Sequence, residues 1–269
     1  MDKFLTGKMV AQLKIDGVFT AGKVLLDIRK MTSLRIVRRT WREACKKFAV
    51  KSLIIKPVGD GCSAGVIRLF SVTDLAKYLE LVHLGLPAIP KGTFANQEEI
   101  IDLPPAKAKT FLLEEFIETD KVAVKNNKLI HRRRSGFVEL TVGVISEGKK
   151  IRVFNPSLTV AEGEVLSVEE KFQGGTGVNI TPPPESIIPK KTTERIKGLV
   201  GQFAERIGIE GYARIDLFAN IDNGNVVIIE VNTLPGLTPS TVLYHQALAE
   251  TPPIYPRELL EKLIANKGY

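Results

Sequence analysis

This sequence has little sulfur chemistry and no stretch built for lipid. Two cysteines, three histidines and one tryptophan occur in 269 residues. Cys45 and Cys62 offer neither a disulfide framework nor metal-ligand spacing, which speaks for a reducing compartment. No apolar run approaches the roughly 20 residues needed to span a bilayer. No leader-like segment is read at the opening MDKFLTGK. What is present is an ordinary globular composition, 44% hydrophobic and 25% charged, long enough for one large or two medium cores. The formal charge of +8 raises the question of a nucleic-acid or membrane partner. The basic clusters Arg35–Arg42 and His131–Arg134 come with no RNA-binding motif. Both read as solvated faces, and a basic balance suits a nucleoside triphosphate equally well.

The most informative stretch is 211–241, GYARIDLFANIDNGNVVIIEVNTLPGLTPST. Two apolar runs, Tyr212–Ala219 and Val226–Val231, flank a polar loop, Asn220–Asn225, that contains an Asn-Gly step. That is a hairpin signal. Strand side chains alternate between faces. Arg214 and Asp216 therefore share one face, and Glu230 and Asn232 share one face of the partner strand. Strict alternation sends Ala213, Ile215, Leu217, Val227, Ile229 and Val231 to the opposite, apolar face. A solvated hairpin face with a cross-strand Arg–Asp pair is the competing reading. Two carboxylates and a carboxamide beside an arginine, ahead of a Gly- and Pro-bearing loop, suit a Mg²⁺ site shared with phosphates.

Upstream, helices are expected over 4–14 and 32–48, the second with Leu34, Val37, Trp41, Ala44, Cys45 and Phe48 at helical spacing. The strand Ser52–Lys56 is followed by VGDGCSAGV, with Gly59, Gly61, Ser63 and Gly65, and then by the strand Val66–Phe70. Strand, Gly-rich loop, strand is an arrangement in which backbone N–H groups can close over phosphate oxygens. It is not a Walker A loop, since no Gly-Lys-Ser/Thr occurs and a strand follows. Thr73–Leu84 reads as a helix with Leu75, Leu79 and Val82 inward, and Gly85–Lys109 as a connection. FLLEEFIE (Phe111–Glu118) reads as a buried strand, Thr119–Phe137 as an extra hairpin with a basic tip, and Val138–Val144 and 151–160 as strands. Val165–Pro184 is Gly-rich and ends in PPP, with few large apolar anchors. It reads as a mobile lid. Ile196, Leu199, Val200, Phe203, Ala204 and Ile207 mark Lys191–Gly208 as the clearest helix, and short helices are expected over 239–249 and 256–266.

RIDLF, then IIEVNTLPG, then LTPST closely resembles the ATP-grasp signature of the D-alanine–D-alanine ligases. IIKP-VGDGCSAGV is similar to that family's ATP-binding strand and lid loop. The resemblance covers essentially the whole chain and the ATP-grasp part of such an enzyme. It implies an α+β ATP-grasp fold of two subdomains, 1–115 and 116–269, whose mainly antiparallel sheets enclose the nucleotide. It carries two Mg²⁺ ions, with Mn²⁺ able to substitute, to Asp216, Glu230 and Asn232. It carries the triphosphate to Lys3, Lys56, the loop residues Gly61 and Ser63, and Lys171. The hinge Glu114, Glu115, Phe116 and Ile117 would read adenine through its backbone, and Glu139 would hold ribose.

The activity implied joins the carboxylate of one D-alanine to the amine of another. ATP is spent on an acyl phosphate, whose carbonyl the second amine then attacks as phosphate leaves. Arg214 and the Gly236 backbone N–H would stabilise the tetrahedral oxyanion, and Thr241 stands where the family has a serine for the second substrate's carboxylate. Three positions depart from the family pattern. Cys62 replaces a serine, and Phe172 and Leu166 replace tyrosines. A ligase acting on a different amine therefore stays open, as does a non-catalytic nucleotide-binding module. The partners implied are small molecules and a further N-terminal domain or tandem unit, with no nucleic acid or membrane; a homo-oligomer stays open. The insert and residues 157–184 are similar to plant homologues, which are plastid proteins. The compartment implied is thus the cytoplasm for a bacterial source and the plastid stroma for a plant one.

Overall fold

The computed structural model describes residues 2–59, 64–97, 99–104, 108–125, 128–148, 150–160 and 178–265. The chain opens with helix α1 (Lys3–Leu13), started by Asp2, whose carboxylate accepts the N–H groups of Phe4 and Leu5. Strands β1 (Val18–Thr20) and β2 (Lys23–Asp27) follow, then helix α2 (Leu34–Phe48), capped by Ser33 and stopped at Ala49 in the left-handed conformation. Next come β3 (Leu53–Pro57), β4 (Ile67–Leu69) and helix α3 (Val72–His83), which starts on a reciprocal Ser71/Asp74 capping box. The expected connection 85–109 contains a small ladder, β5 (Ala88–Ile89) with β6 (Ile101–Asp102). Strand β7 (Thr110–Glu115) completes the first half.

The second half holds β8 (Lys121–Lys125), β9 (Lys128–Arg132), β10 (Phe137–Glu147), β11 (Lys150–Val153), β12 (Ser157–Val160) and β13 (Val178–Ile180). Helix α4 (Lys190–Arg206), strands β14 (Tyr212–Asn220) and β15 (Val226–Asn232), and helices α5 (Val242–Leu248) and α6 (Pro256–Ala265) complete it. The expected single strand at 151–160 is two strands. Among the described residues, no helix is long and apolar enough to cross a membrane.

Two sheets carry the fold. The smaller runs β2-β7-β3-β4, all antiparallel, and its core face packs under α2 and α3. Leu26, Leu53, Ile55, Leu69 and Phe111 point to that core, together with Leu75 and Tyr78 of α3. Tyr78, not counted among the inward residues from sequence, is fully buried and donates its hydroxyl to the Gly65 carbonyl at 2.8 Å. The larger sheet runs β1-β15-β14-β10-β12-β13, with β11 beside β10. Its core face is closed by α4 through Ile196, Leu199, Val200, Phe203 and Ala204. The chain's first elements also belong to this layer: β1 pairs parallel with β15, and Val10 of α1 lies in the same core.

Two corrections to the sequence reading come from local geometry. The basic run HRRR is at the base of the β8–β9 hairpin, not at its tip. Buried Asp120 draws it there, accepting the N–H groups of Arg134, Ser135 and Gly136 and facing His131 Nε2 at 2.8 Å. The second concerns β15. Asp216 pairs with Glu230 but Leu217 pairs with Ile228, so Ile229 is an extra, bulged residue. Val226, Ile228 and Val231 face the core, whereas strict alternation assigned Val227 and Ile229 to it. The bulge lets Glu230 and Asn232 face the opposite way from Val226 and Ile228. Without it, a strand with those two core residues would turn Glu230 into the core.

Candidate active site

The faces of the two sheets opposite their cores carry the charged residues. On the larger sheet the register sets Arg214 opposite Asn232 and Asp216 opposite Glu230. On the other side of β14, Gly143, Thr141 and Glu139 of β10 stand opposite Arg214, Asp216 and Phe218. Arg214 lays its guanidinium fork on Asp216, Nε to Oδ1 and Nη2 to Oδ2, both 3.1 Å. The pair lies within one strand. Thr141 Oγ1 donates to Asp216 Oδ1 at 2.6 Å, and Asn232 Nδ2 donates to Asp216 Oδ2 (3.0 Å) and Glu230 Oε1 (3.3 Å). The hairpin thus gathers two carboxylates around one carboxamide.

Helix α1 brings a lysine to this group from the other side. The Lys3 N–H donates to the Val58 carbonyl just past β3, and the buried ammonium lies 3.5 Å from Glu230 Oε2. On the smaller sheet, Lys56 of β3 and Lys23 of β2 share one buried carboxylate, Glu114. Lys56 Nζ is 2.6 Å from Oε1, and Lys23 Nζ is hydrogen-bonded to Oε2. Burial is the main force lowering the Lys23 pKa below the ordinary lysine value; Glu114 opposes it, and neighbouring Lys56 and Lys3 add to it. Burial would raise the Glu114 carboxyl, but Lys56 and Lys23 outweigh it and hold the pKa below the ordinary carboxylate range. Lys3 is tied through its backbone to Val58, two residues past Lys56, and through its ammonium to Glu230, so it links the two charged groups.

The hinge residues follow directly. The Glu115 N–H donates to the Gly22 carbonyl at 2.9 Å, and its carboxylate accepts the Gly22 N–H at 3.1 Å, so its side chain turns back on β2. The Phe116 ring lies 3.6 Å under the Arg68 guanidinium, and Ile117 is half-buried. Exposed Gly236 and half-buried Thr241 sit on the segment between β15 and α5. Gly61, Cys62, Ser63, Leu166, Lys171 and Phe172, and most of the expected lid, lie outside the described residues. Within the lid's described end, Val178–Ile180 is a strand paired with β12.

Sequence reasoning missed two polar contributors. Thr141 was legible, because alternation along VELTVGV places it on the face of Glu139. Lys23 has no pattern to mark it, being a single cation after Ala-Gly at the start of a strand. The donor set fits a hard divalent cation, which takes carboxylate and amide oxygens. Two carboxylates converge within reach of one carboxamide, whose oxygen faces them if the amide is turned over. Among the described residues no cluster of three His, Cys, Asp or Glu forms, so the carboxamide is needed to complete the set.

The two sheets, with buried lysines on one and paired carboxylates on the other, form an ATP-grasp fold, which solved structures share. The D-Ala:D-Ser ligase VanG of Enterococcus faecalis matches with a TM-score of 0.64 at 18% identity, over 99% of this chain and 61% of that one. The ATP-complexed D-alanine–D-alanine ligase of Bacillus anthracis matches with a TM-score of 0.60 at 18% identity, over 98% and 65%. Residues 108–265 match the family model described as the D-ala D-ala ligase C-terminus. A D-alanine–D-alanine ligase of Pelotomaculum thermopropionicum is 31% identical over 264 residues, 98% of this chain and 67% of that protein. One of Leptospira biflexa is 29% identical over 181 residues, 66% of this chain and 49% of that protein. The chain belongs to the D-alanine–D-alanine ligase family. It spans about half the length of the Leptospira relative and two thirds of the Pelotomaculum one.

Proposed function

We propose that this chain binds ATP with Mg²⁺ between its two sheets and uses it to join the carboxylate of D-alanine to an amine, with a second D-alanine as the acceptor. The observation that carries the reading is the opposition of Lys3 and Lys56 to Asp216, Glu230 and Asn232 across one cleft, on elements the family shares. Phosphoryl transfer asks a protein mainly for positioning and charge stabilisation. Lys56 and Lys3 meet phosphate oxygens. Asp216 fixes the plane of the Arg214 guanidinium through a two-point contact, aiming it at the oxyanion that forms when the amine attacks. The Gly236 N–H shares that task, and the Thr241 hydroxyl receives the acceptor's carboxylate. Glu139 takes ribose, and the 114–117 backbone takes adenine. Magnesium ions held by Asp216, Glu230 and Asn232 would neutralise the phosphates and hold them in line. On this reading the subdomains are 1–115 and 116–269, with 2–20 packed on the second.

A different acceptor amine is the second reading, left open by Cys62, Phe172 and Leu166 at positions where the family has a serine and two tyrosines. ADP release, measured with ATP, Mg²⁺ and single or paired amino acids, tests both. Release that rises with D-alanine is the expected result. Release that answers to another amino acid as acceptor moves the assignment to the second reading. An absence of ATP binding contradicts both.

A further inference from the structure

Glu114 carries more positive charge than it can balance. Lys23 and Lys56 each place an ammonium on one of its two oxygens, and all three side chains are more than nine-tenths buried. Among the described residues, one carboxylate for two ammonium groups leaves the trio with a net positive charge in a poorly solvated place. Such a charge is costly unless a counter-ion arrives. Lys3 adds to the field felt by Lys23. The function described above gives Lys56 and Lys3 their work and leaves Lys23 without any.

The path of Lys23 is itself built. Lys3, Thr6, Gly7 and Val10 form the buried face of α1. A Cβ on Gly7 would stand 2.5 Å from Lys23 Cε, 3.0 Å from Cδ and 3.1 Å from Thr20 Oγ1. Glycine in a helix interior weakens the helix relative to alanine. Here its missing side chain is the notch through which the Lys23 stem passes between α1 and the sheet to reach the cleft. A lysine that only covered a surface would not need a notch in a helix.

We infer that Lys23 is a further phosphate-binding residue of the nucleotide cleft, held on Glu114 in the free protein and released to the phosphates of the bound nucleotide. This rests on the ATP reading above. In the free protein Glu114 neutralises one of the two ammonium groups and positions both. When the phosphates enter, they supply the missing negative charge, so the trio no longer carries a surplus. Gly7 acts through Lys23 and is a positioning residue.

Titration of Mg-ATP by calorimetry, with thermal melting of the unliganded protein, separates this from a structural ion pair. Lys23→Met should weaken ATP binding fivefold or more without lowering the melting temperature, because one lysine then matches one carboxylate. Gly7→Ala displaces only the flexible end of a side chain and gains helix propensity, so it should fold well and weaken binding similarly. In the Lys23→Met background it should add no further loss. A weakening below fivefold in Lys23→Met overturns the inference. So does a fall in its melting temperature alongside affinity, which would make Lys23 a prop for Glu114. A loss in Lys23→Met alone, with melting unchanged, supports the role of Lys23 and removes only that of Gly7. If the unmodified protein does not bind ATP, the nucleotide reading falls and takes this inference with it.

Discussion

Glu114 shows how much one buried carboxylate can organise. It receives two lysines from two different strands, and each would be an unpaired buried cation without it. Removing one partner from a buried ionic group costs about 3–5 kcal/mol, because the charges left behind have lost their solvent and their counter-ion. Glu114→Gln should therefore lower the unfolding free energy by roughly that amount in a urea titration; a loss under about 1 kcal/mol would show that the lysines find water instead. The pH dependence has a definite sign. The folded carboxyl titrates below its ordinary value of 4.5, so its contribution is present above that value and is lost as pH falls through the folded pKa. Lys23 acts in the alkaline range. Its folded pKa lies below 10.5, so the unfolded chain binds more protons there, and stability should rise as pH climbs through the depressed pKa toward 10.5. Lys23→Met should remove that rise, as equilibrium unfolding at a series of alkaline pH values would show. None of this pairing was legible in the sequence. Lys56 and Lys3 stood out by resemblance, Glu114 only as part of a hinge backbone, and Lys23 not at all. Nothing in the local pattern says that residues 23, 56 and 114 meet.

At the scale of elements, the hairpin was legible and its parity was not. Asn223-Gly224 gave the turn, and the structure closes it with Asn220 Oδ1 accepting the N–H groups of Asp222 and Asn223, and with Gly224 at positive φ. VVIIEVN, however, is apolar at both parities before Glu230. Sequence alternation could not reveal that Ile229 is bulged and that Val226 and Ile228 take the core. The functional side chains came out on the right face only because the reading started from Glu230 and Asn232. Helix α5 is anchored by a polar residue that the sequence did not flag. Fully buried Gln246 donates to the Thr141 carbonyl (2.7 Å) and Ser157 Oγ (3.0 Å), and accepts the Gly143 N–H at 2.8 Å. A Cβ on Gly143 would stand 2.5 Å from both Gln246 Oε1 and Leu243 Cδ1, so the glycine lets α5 lie against β10. Gln246→Leu leaves the Thr141 carbonyl and the Gly143 N–H unanswered, while Ser157 Oγ keeps Thr181 Oγ1. At about 1–3 kcal/mol per buried unsatisfied group, with partial recovery by water, the loss should be about 2–4 kcal/mol. Chemical denaturation measures it directly, and a loss under about 0.5 kcal/mol would mean that α5 is held by Leu243 and Ala247 alone.

For the whole molecule, the arrangement is two sheets, each with helices on its apolar core face and charged residues on the opposite one, where α5 and α6 also pack on the larger sheet through Ile145, Phe154 and Leu243. Periodicity predicted the helices well, since α2, α3 and α4 each bury one stripe. It did not predict which strands share a sheet, because pairing such as β1 with β15 joins residues some two hundred positions apart. That union binds the start of the chain to the hairpin of Asp216 and Glu230 and gives Lys3 its place beside Glu230. On the function proposed, the chain holds a nucleotide through Mg²⁺ on Asp216, Glu230 and Asn232. Calorimetric titration of ATP with and without Mg²⁺, on the unmodified protein and on Glu230→Gln, tests it most directly. A neutral amide cannot compensate cations as a carboxylate does. Mg²⁺ should tighten ATP binding at least tenfold in the unmodified protein and have almost no effect in Glu230→Gln. An equal Mg²⁺ enhancement in both proteins, or no ATP binding in either, would contradict it.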